Sequence, residues 1–232
     1  RYTIEIILCP CAGTEPKNRR GNIGMKTIGR LHVLTDTALQ SRFSHVALTE
    51  LAVSGGADTI QFRQKTGATK ELIEIATLMR RVCAEKGAMF IVNDRIDVAI
   101  ASEADGVHLG QNDFPIPLAR KLLGKDCIIG GSAATIEEME ICIREGADYV
   151  GFGPVYPTGS KDDAGPVSGI DILKRIIESS PVPVIAIGGI DQNNASHVMG
   201  AGAHGIAVIS SVCCRDDPKE ATRELHHMVA PV

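Results

Sequence analysis

The chain has 232 residues, of which 44% are hydrophobic and 22% charged, with a formal net charge of −4. This supplies enough apolar material for one large core or two small ones. The negative balance gives no overall basic field to attract nucleic acid, and no apolar run approaches the roughly 18 residues of a membrane span. Neither nucleic acid nor membrane is an expected partner.

The first 24 residues, RYTIEIILCPCAGTEPKNRRGNIG, differ from the remainder. Their apolar run is too short for the hydrophobic region of a secretory signal, and a polar stretch rich in Gly, Asn and Arg follows it. We therefore expect residues 1–24 to be an extension outside the core, and residues 25–232 to form a single domain.

From Gly29 onward, a short β-branched run, a polar or glycine-rich turn and a helical pattern recur. The predicted strands are RLHVLT, DTIQFR, AMFIVN, DGVHL, CIIGGS, DYVGFG, VPVIAIGG and HGIAVIS. Helical stretches such as KELIEIATLMRRVCAEKG, TIEEMEICIREG and SGIDILKRIIESS lie between them, and the first two close on the glycine expected just past a helix end. Strands that alternate with helices pair in parallel, and eight such units favour a closed (β/α)8 TIM barrel. An open doubly wound sheet would more naturally carry GxGxxG after its first strand, where this chain has DTALQS.

Polar residues follow seven of the eight predicted strands. Active sites of TIM barrels lie at these C-terminal strand ends, so we expect the residues to converge on one rim. In chain order they are Gln61, Arg63 and Lys65; Asn93 and Asp94; Gln111 and Asp113; Ser132; the segment PTGSK; Gly188 and Gly189; and the segment VISS.

The segment QFRQK places two cations, Arg63 and Lys65, at the same parity of the second strand, so both side chains point the same way. Buried cations need partners. The partner is either an anionic ligand or a structural ion-pair network with Asp94 or Asp113. Lys161 adds a third cation to the same rim, and this excess of positive charge favours the anionic ligand.

Asp94 and Asp113 end adjacent strands, which lie about 4.8 Å apart, so their carboxylates could approach one hard cation. Magnesium fits best, because it takes one or two carboxylates and completes its shell with water and phosphate oxygens. An acid/base pair is the alternative, and Asp94 could instead cap the helix that begins with RIDVAIA.

The segment GPVYPTGSKDDAGPVSG is long for a strand-to-helix connection, which suggests a lid or a loop that grips substrate. Thr158 and Ser160 can donate hydrogen bonds to an oxyanion there, and Lys161 supplies a charge. A solvated turn would have a similar composition.

The segments IAIGGIDQNN and IAVISS follow the last two strands, where barrels commonly bind phosphate. Gly189, Ile209 and Ser210 would contribute mainly backbone N–H groups, although tight chain packing would also explain the glycines. Two phosphate sites on one rim indicate two phosphorylated substrates, or one substrate with two phosphate groups.

The histidines and cysteines show no arrangement for nucleophilic catalysis. The seven cysteines are mostly scattered through apolar patterns, as in reduced cytoplasmic proteins, and lack the paired spacing of a zinc site. His108 is best interpreted as a packed strand residue, and no Ser-His-Asp or Cys-His set shares a strand end. Electrostatics and positioning must then carry the chemistry.

The ordered set QFRQK, VND, GVHLGQND, GPVYPTGSK, AIGGI and AVISS resembles the thiamine phosphate synthase family, also called thiamine-phosphate pyrophosphorylase, from about Gly29 to Ser211. The resemblance implies a cytoplasmic transferase with a single TIM-barrel catalytic domain and Mg²⁺ as cofactor. It would join two small phosphorylated molecules, hydroxymethylpyrimidine diphosphate and a thiazole phosphate, into thiamine phosphate with release of pyrophosphate. The family chemistry is dissociative: pyrophosphate leaves, and the thiazole nitrogen captures the pyrimidine carbocation.

The resemblance also implies a role for each site residue. The pyrimidine diphosphate would be held by Gln61, Arg63, Lys65 and Asn93, its magnesium by Asp94 and Asp113, and its pyrophosphate by Lys161, with Ser132 near the pyrimidine. The thiazole phosphate would be held by Thr158, Gly159, Ser160, Gly189, Ile209 and Ser210. Of these, Arg63, Lys65, Ser132 and Lys161 are the expected catalytic residues.

Two departures from the family pattern are present. The family often has Glu where Gln64 stands, and Ala134 occupies a position that is often His in relatives. The alternatives are a thiazole tautomerase of the same superfamily, or a non-catalytic regulatory barrel that binds a ligand. The sequence leaves the oligomeric state open, a homo-oligomer included.

Overall fold

The structure is a computed structural model that describes residues 27–160 and 165–230. The predicted extension at residues 1–24 lies outside the described residues. The described part contains eight strands, and each coincides with a segment predicted as a strand, with β5 extending one residue beyond it to Ala133. They are β1 (Leu31–Thr35), β2 (Thr59–Phe62), β3 (Met89–Asn93), β4 (Gly106–Leu109), β5 (Ile128–Ala133), β6 (Tyr149–Phe152), β7 (Val184–Ile187) and β8 (Gly205–Val208).

The strands form one closed, all-parallel barrel in sequence order. Every strand pairs with the next one along the chain, and β8 returns to β1, with Ala207 opposite His32. Helices alternate with the strands, because a parallel pair needs a crossover connection. The predicted (β/α)8 TIM barrel is therefore confirmed.

The helices form the outer layer of the barrel. They are α1 (His45–Ser54), α2 (Thr69–Lys86), α3 (Ile96–Ala101), α4 (Ile116–Leu123), α5 (Ile136–Glu145), α6 (Gly169–Ser179), α7 (Ala195–Gly200), α8 (Ser210–Cys213) and α9 (Pro218–Val229). As predicted, α2 and α5 close on glycines in the left-handed conformation, Gly87 and Gly146. The short helix α8 interrupts the last connection directly after β8. Every helix in the described ranges is too short or too polar to cross a bilayer.

The apolar core has two layers, because side chains alternate along each strand. Ile60 and Phe62 of β2 face outward into the large cluster between the strands and the helices. Leu34, Ile91 and Tyr149 belong to a smaller cluster inside the barrel. Gln61 has the inward parity of β2, so it shares the interior with that smaller cluster.

His32 on β1 is buried inside the barrel, and its Nε2 donates to the carbonyl of Gly29 at 3.0 Å. Burial lowers the pKa of His32 to about 4, against smaller opposing effects of the Gly29 carbonyl and Asp58. Between pH 6.5 and 4 the unfolded chain therefore binds more protons than the folded chain, so stability falls as the pH drops through this window.

We expect His32→Gln, which keeps a side-chain N–H donor, to flatten the loss of stability on acidification. The wild type should lose on the order of 3 kcal/mol between pH 6.5 and 4 through this group. Thermal unfolding from pH 4 to 8 measures the effect, and the exposed His227→Gln serves as control. If the melting temperature fell equally steeply with pH in the wild type and in His32→Gln, His32 would not be the source of the loss of stability.

Candidate active site

A cavity of about 1220 Å³ opens at the C-terminal ends of the strands. We call it the mouth. It is larger than the roughly 300–1,000 Å³ typical of a small-molecule site, so it has room for two substrates. Its lining includes the following predicted site residues: Arg63, Lys65, Asn93, Asp94, Gln111, Asp113, Ser132, Thr158, Gly159, Ser160, Gly189, Ile209 and Ser210. Lys161 lies outside the described residues.

Arg63 follows β2 directly and is paired with Asp36, which follows β1 directly. The strand register puts Thr35 opposite Phe62, so the next residues of both strands, Asp36 and Arg63, become neighbours. Arg63 Nη1 donates to Asp36 Oδ2, and both side chains are buried. The ion-pair alternative predicted Asp94 or Asp113 as the partner of Arg63; the observed partner is Asp36, whereas Lys65 does pair with Asp94. Arg63 Nε is buried without a hydrogen-bond partner among the described residues.

Lys65, Asp94 and Asp113 form the second charged group of the mouth. Lys65 Nζ donates to Asp94 Oδ2, and Asp113 Oδ2 accepts from the N–H of Gly110 at 2.7 Å. Burial raises the pKa of Asp94, and the neighbouring Asp113 carboxylate raises it further against the opposing effect of Lys65. Two carboxylates thus interact closely enough to disfavour a second negative charge, which is the electrostatic situation that a bound cation relieves.

The donor set of the two carboxylates fits magnesium. Mg²⁺ characteristically uses only one or two protein carboxylates. The described residues hold no group of three or more His, Cys, Asp and Glu side chains suited to a metal, so a fully protein-made site is not seen there. Asp94 does not cap helix α3, which was the alternative role predicted for it. Arg95 occupies the N-cap of α3, and no side chain makes a capping hydrogen bond there. Asp94 also has a left-handed backbone, with φ of 62°, which costs energy in a non-glycine residue.

A small polar chamber lies inside the barrel below the mouth. Gln61, His108, Ser132 and Tyr149 contribute to its lining, and Ser132 borders both the chamber and the mouth. Gln61 is 3% exposed, and its Oε1 has no hydrogen-bond partner in the described part of the chain. A buried acceptor without a donor is costly, and the chamber, at about 20 Å³, has room for about one water molecule that could donate to it.

The opposite side of the mouth carries hydroxyl and backbone groups. Ser160 Oγ donates to Ser210 Oγ at 3.0 Å, which joins the loop after β6 to the start of α8. Gly189 has φ of 63°, and a Cβ there would lie 2.4 Å from the carbonyl oxygen of Pro157. Tight packing, which the sequence analysis kept as an alternative for the glycines, therefore does apply to Gly189. Its position at the mouth is compatible with phosphate binding as well.

Three residues in or next to the mouth were not predicted from the sequence. Asp36 follows β1 directly and reaches the mouth through its pair with Arg63, so the strand-end rule that found Asp94 would also have found it. Glu138 on α5 reaches the mouth, and its Oε2 accepts from the N–H of Ala134 at 2.7 Å. Arg215 lies just past α8 and lines the mouth with an exposed side chain, for which no local sequence signal existed.

Comparisons with known proteins agree with the geometry. The family model described as thiamine monophosphate synthase matches residues 31–212. A thiamine-phosphate synthase of Salinibacter ruber is 50% identical over 197 residues, which cover 85% of this chain and 87% of that relative. One of Methanocella arvoryzae is 48% identical over 200 residues, covering 86% and 94% of the two chains. The structure of thiamine phosphate pyrophosphorylase from Pyrococcus furiosus superposes with a TM-score of 0.79 at 42% identity, covering 86% of this chain and 95% of that one.

Proposed function

The chain belongs to the thiamine monophosphate synthase family, and we propose that the mouth of its barrel joins hydroxymethylpyrimidine diphosphate to a thiazole phosphate. The protein is a transferase, and the products are thiamine phosphate and pyrophosphate. The main observation in favour of this cavity as the site of the reaction is that its two sides have different linings. Cations and paired carboxylates follow β2 to β4, while hydroxyls and backbone amides follow β6 to β8.

The diphosphate belongs on the side of β2 to β4. Arg63 and Lys65 would contact its oxygens, and Asn93, at the end of β3, lines the same cavity. Arg63 is held by Asp36, so its guanidinium is already oriented before a ligand arrives, which lowers the entropy cost of binding. Lys161 would add a further charge, as the family resemblance implies.

Asp94 and Asp113 would hold Mg²⁺. When bound, the ion neutralises charge that grows on the departing pyrophosphate. The protein's own contribution is to place two interacting carboxylates beside Lys65, and Asp113 is oriented by the N–H of Gly110.

The pyrimidine would lie in the mouth beside Ser132, with Gln61 in the chamber beneath it. The C–O bond to the diphosphate breaks and its electron pair leaves with pyrophosphate. The lone pair of the thiazole nitrogen then forms the new C–N bond. Thr158 and Ser210 would donate to the thiazole phosphate, together with backbone N–H groups of Gly159, Gly189 and Ile209. Ser160 would also donate to it once its hydroxyl turns away from Ser210. These contacts hold the nitrogen in line with the reacting carbon.

One assay tests the reaction and separates it from thiazole isomerisation. We expect magnesium-dependent formation of thiamine phosphate from the two substrates, and little change in thiazole isomer ratio when the pyrimidine diphosphate is omitted. Proton transfer near neutral pH suits a His, and Ala133 and Ala134 occupy the stretch where tautomerase relatives carry one. Product analysis with and without the pyrimidine substrate distinguishes the outcomes.

Rapid isomerisation without any coupled product would overturn the synthase assignment, and inactivity in both assays would favour a ligand-binding role. Glu138 is the titratable group that the fold brings beside Ala134. Glu138→Gln is therefore the matched variant: loss of a slow isomerisation in this variant would identify Glu138 as its proton carrier.

A further inference from the structure

Three side chains from neighbouring strands form a hydrogen-bonded chain inside the barrel. His108 of β4 has its Nδ1 3.0 Å from the hydroxyl of Tyr149, on β6, and its Nε2 2.9 Å from Ser132 Oγ, on β5. Tyr149 is 1% exposed and His108 8% exposed. The chain thus runs from the closed interior of the barrel to Ser132, which borders the mouth.

Packing holds the two rings in place. A Cβ at Gly130 would lie 2.3 Å from Cζ of Tyr149 and 2.5 Å from Nδ1 of His108. A Cβ at Gly151 would lie 2.9 Å from Cε1 of His108. Glycines on β5 and β6 therefore leave the space that the rings occupy, and larger residues at either position would displace them.

The partners determine where the hydrogens lie. Burial raises the pKa of Tyr149, so its hydroxyl stays protonated. Within the part of the chain that the structure describes, that hydroxyl contacts Nδ1 of His108. A buried O–H without an acceptor is unfavourable, so Tyr149 donates to Nδ1 of His108. Because Nδ1 accepts this hydrogen bond, the imidazole hydrogen lies on Nε2, which donates to Ser132 Oγ.

With one lone pair of Ser132 occupied by His108, the Ser132 hydroxyl hydrogen is left to donate toward a ligand. Pyrimidine ring nitrogens carry lone pairs and no hydrogen, so they require a donor. We propose that Tyr149 and His108 are positioning residues that commit Ser132 to donate a hydrogen bond to the pyrimidine ring. This inference rests on the proposed function, because it takes the pyrimidine as the occupant of the mouth beside Ser132.

Steady-state kinetics of Tyr149→Phe, Ser132→Ala and the double variant test the coupling. Tyr149→Phe should raise the KM for hydroxymethylpyrimidine diphosphate by roughly three- to tenfold, the range expected for one hydrogen bond. The KM for the thiazole phosphate should change less than about twofold. In the Ser132→Ala background, adding Tyr149→Phe should raise the KM for hydroxymethylpyrimidine diphosphate by less than about twofold. Tyr149 acts through Ser132, which is already removed in that background. The proposal would be overturned if the two single-variant effects on this KM multiplied in the double variant. It would also be overturned if Tyr149→Phe changed the KM values for both substrates equally.

The tautomer of His108 provides a test that needs no activity. Long-range ¹H–¹⁵N spectra of histidine-labelled protein should show the Nε2–H form for the resonance that disappears in His108→Gln. An Nδ1–H form would overturn the hydrogen-bond chain even if thiamine phosphate is made. If the wild type makes none, the proposed function fails, and the tautomer decides the hydrogen-bond chain by itself.

Discussion

Asp113→Asn should lower thiamine phosphate formation by about 100-fold or more and raise the magnesium concentration needed for activity, because it removes one of two carboxylates proposed to hold the ion. The fold should persist. Asp113 is half-buried on the rim, and the Asn side-chain oxygen can still accept from the N–H of Gly110, which now bonds Oδ2 at 2.7 Å. Initial rates over a magnesium titration measure the change, and calorimetric titration of magnesium measures binding directly.

Asp97→Asn is the matched control. Asp97 lies three residues beyond Asp94, is exposed, and pairs with Arg95 at 2.5 Å, away from the lining of the mouth. Its removal should leave the magnesium titration unchanged. Full activity of the wild type in EDTA, or equal behaviour of the two variants, would show that the carboxylates at the mouth serve another purpose.

Asp36→Asn should lower the melting temperature by about 6–20 °C. The variant leaves the Arg63 guanidinium buried without its counter-charge, and breaking a buried pair in this way costs about 3–5 kcal/mol. The loss comes from the charge, because an Asn oxygen can still accept the N–H of Ala38, which now bonds Asp36 Oδ1 at 2.8 Å. Thermal unfolding at neutral pH gives the measurement.

An exposed ion pair provides the comparison. Arg42 and Asp216 also pair, at 2.5 Å, but the Asp216 side chain is fully exposed. Solvent screens such a pair, so Asp216→Asn should shift the melting temperature by no more than about 2 °C. If Asp36→Asn and Asp216→Asn lowered the melting temperature by similar amounts, the Arg63–Asp36 pair would contribute no more to stability than an exposed ion pair.

The alternation of strand and helix patterns was sufficient to predict the eight strands and their closure, because each pattern depends on local spacing alone. The same spacing located Asp94 and Asp113 at strand ends. It could not identify which carboxylate meets Arg63, since that depends on the register between β1 and β2. The pairing of Thr35 with Phe62 is a property of two segments far apart in the chain.

His108 illustrates the same limit inside the barrel. Its interpretation as a packed strand residue was confirmed, since it is buried on β4. Its partners, Tyr149 and Ser132, come from two other strands, and the glycines that make room for the rings carry no side-chain signal of their own. Contacts of this kind follow from the order and stagger of the strands around the barrel.

The pairing of β1 with β8 joins the two ends of the barrel, with Leu31 opposite Ile206. On a ribosome that adds about 5–20 residues per second, β1 emerges roughly 9–35 s before its last partner. Until then the growing sheet has two open edges, whose unpaired N–H and C=O groups can pair with other chains. The nascent chain is therefore most exposed to aggregation just before β8 is synthesised, and any release of the chain before Gly205 leaves the ring open.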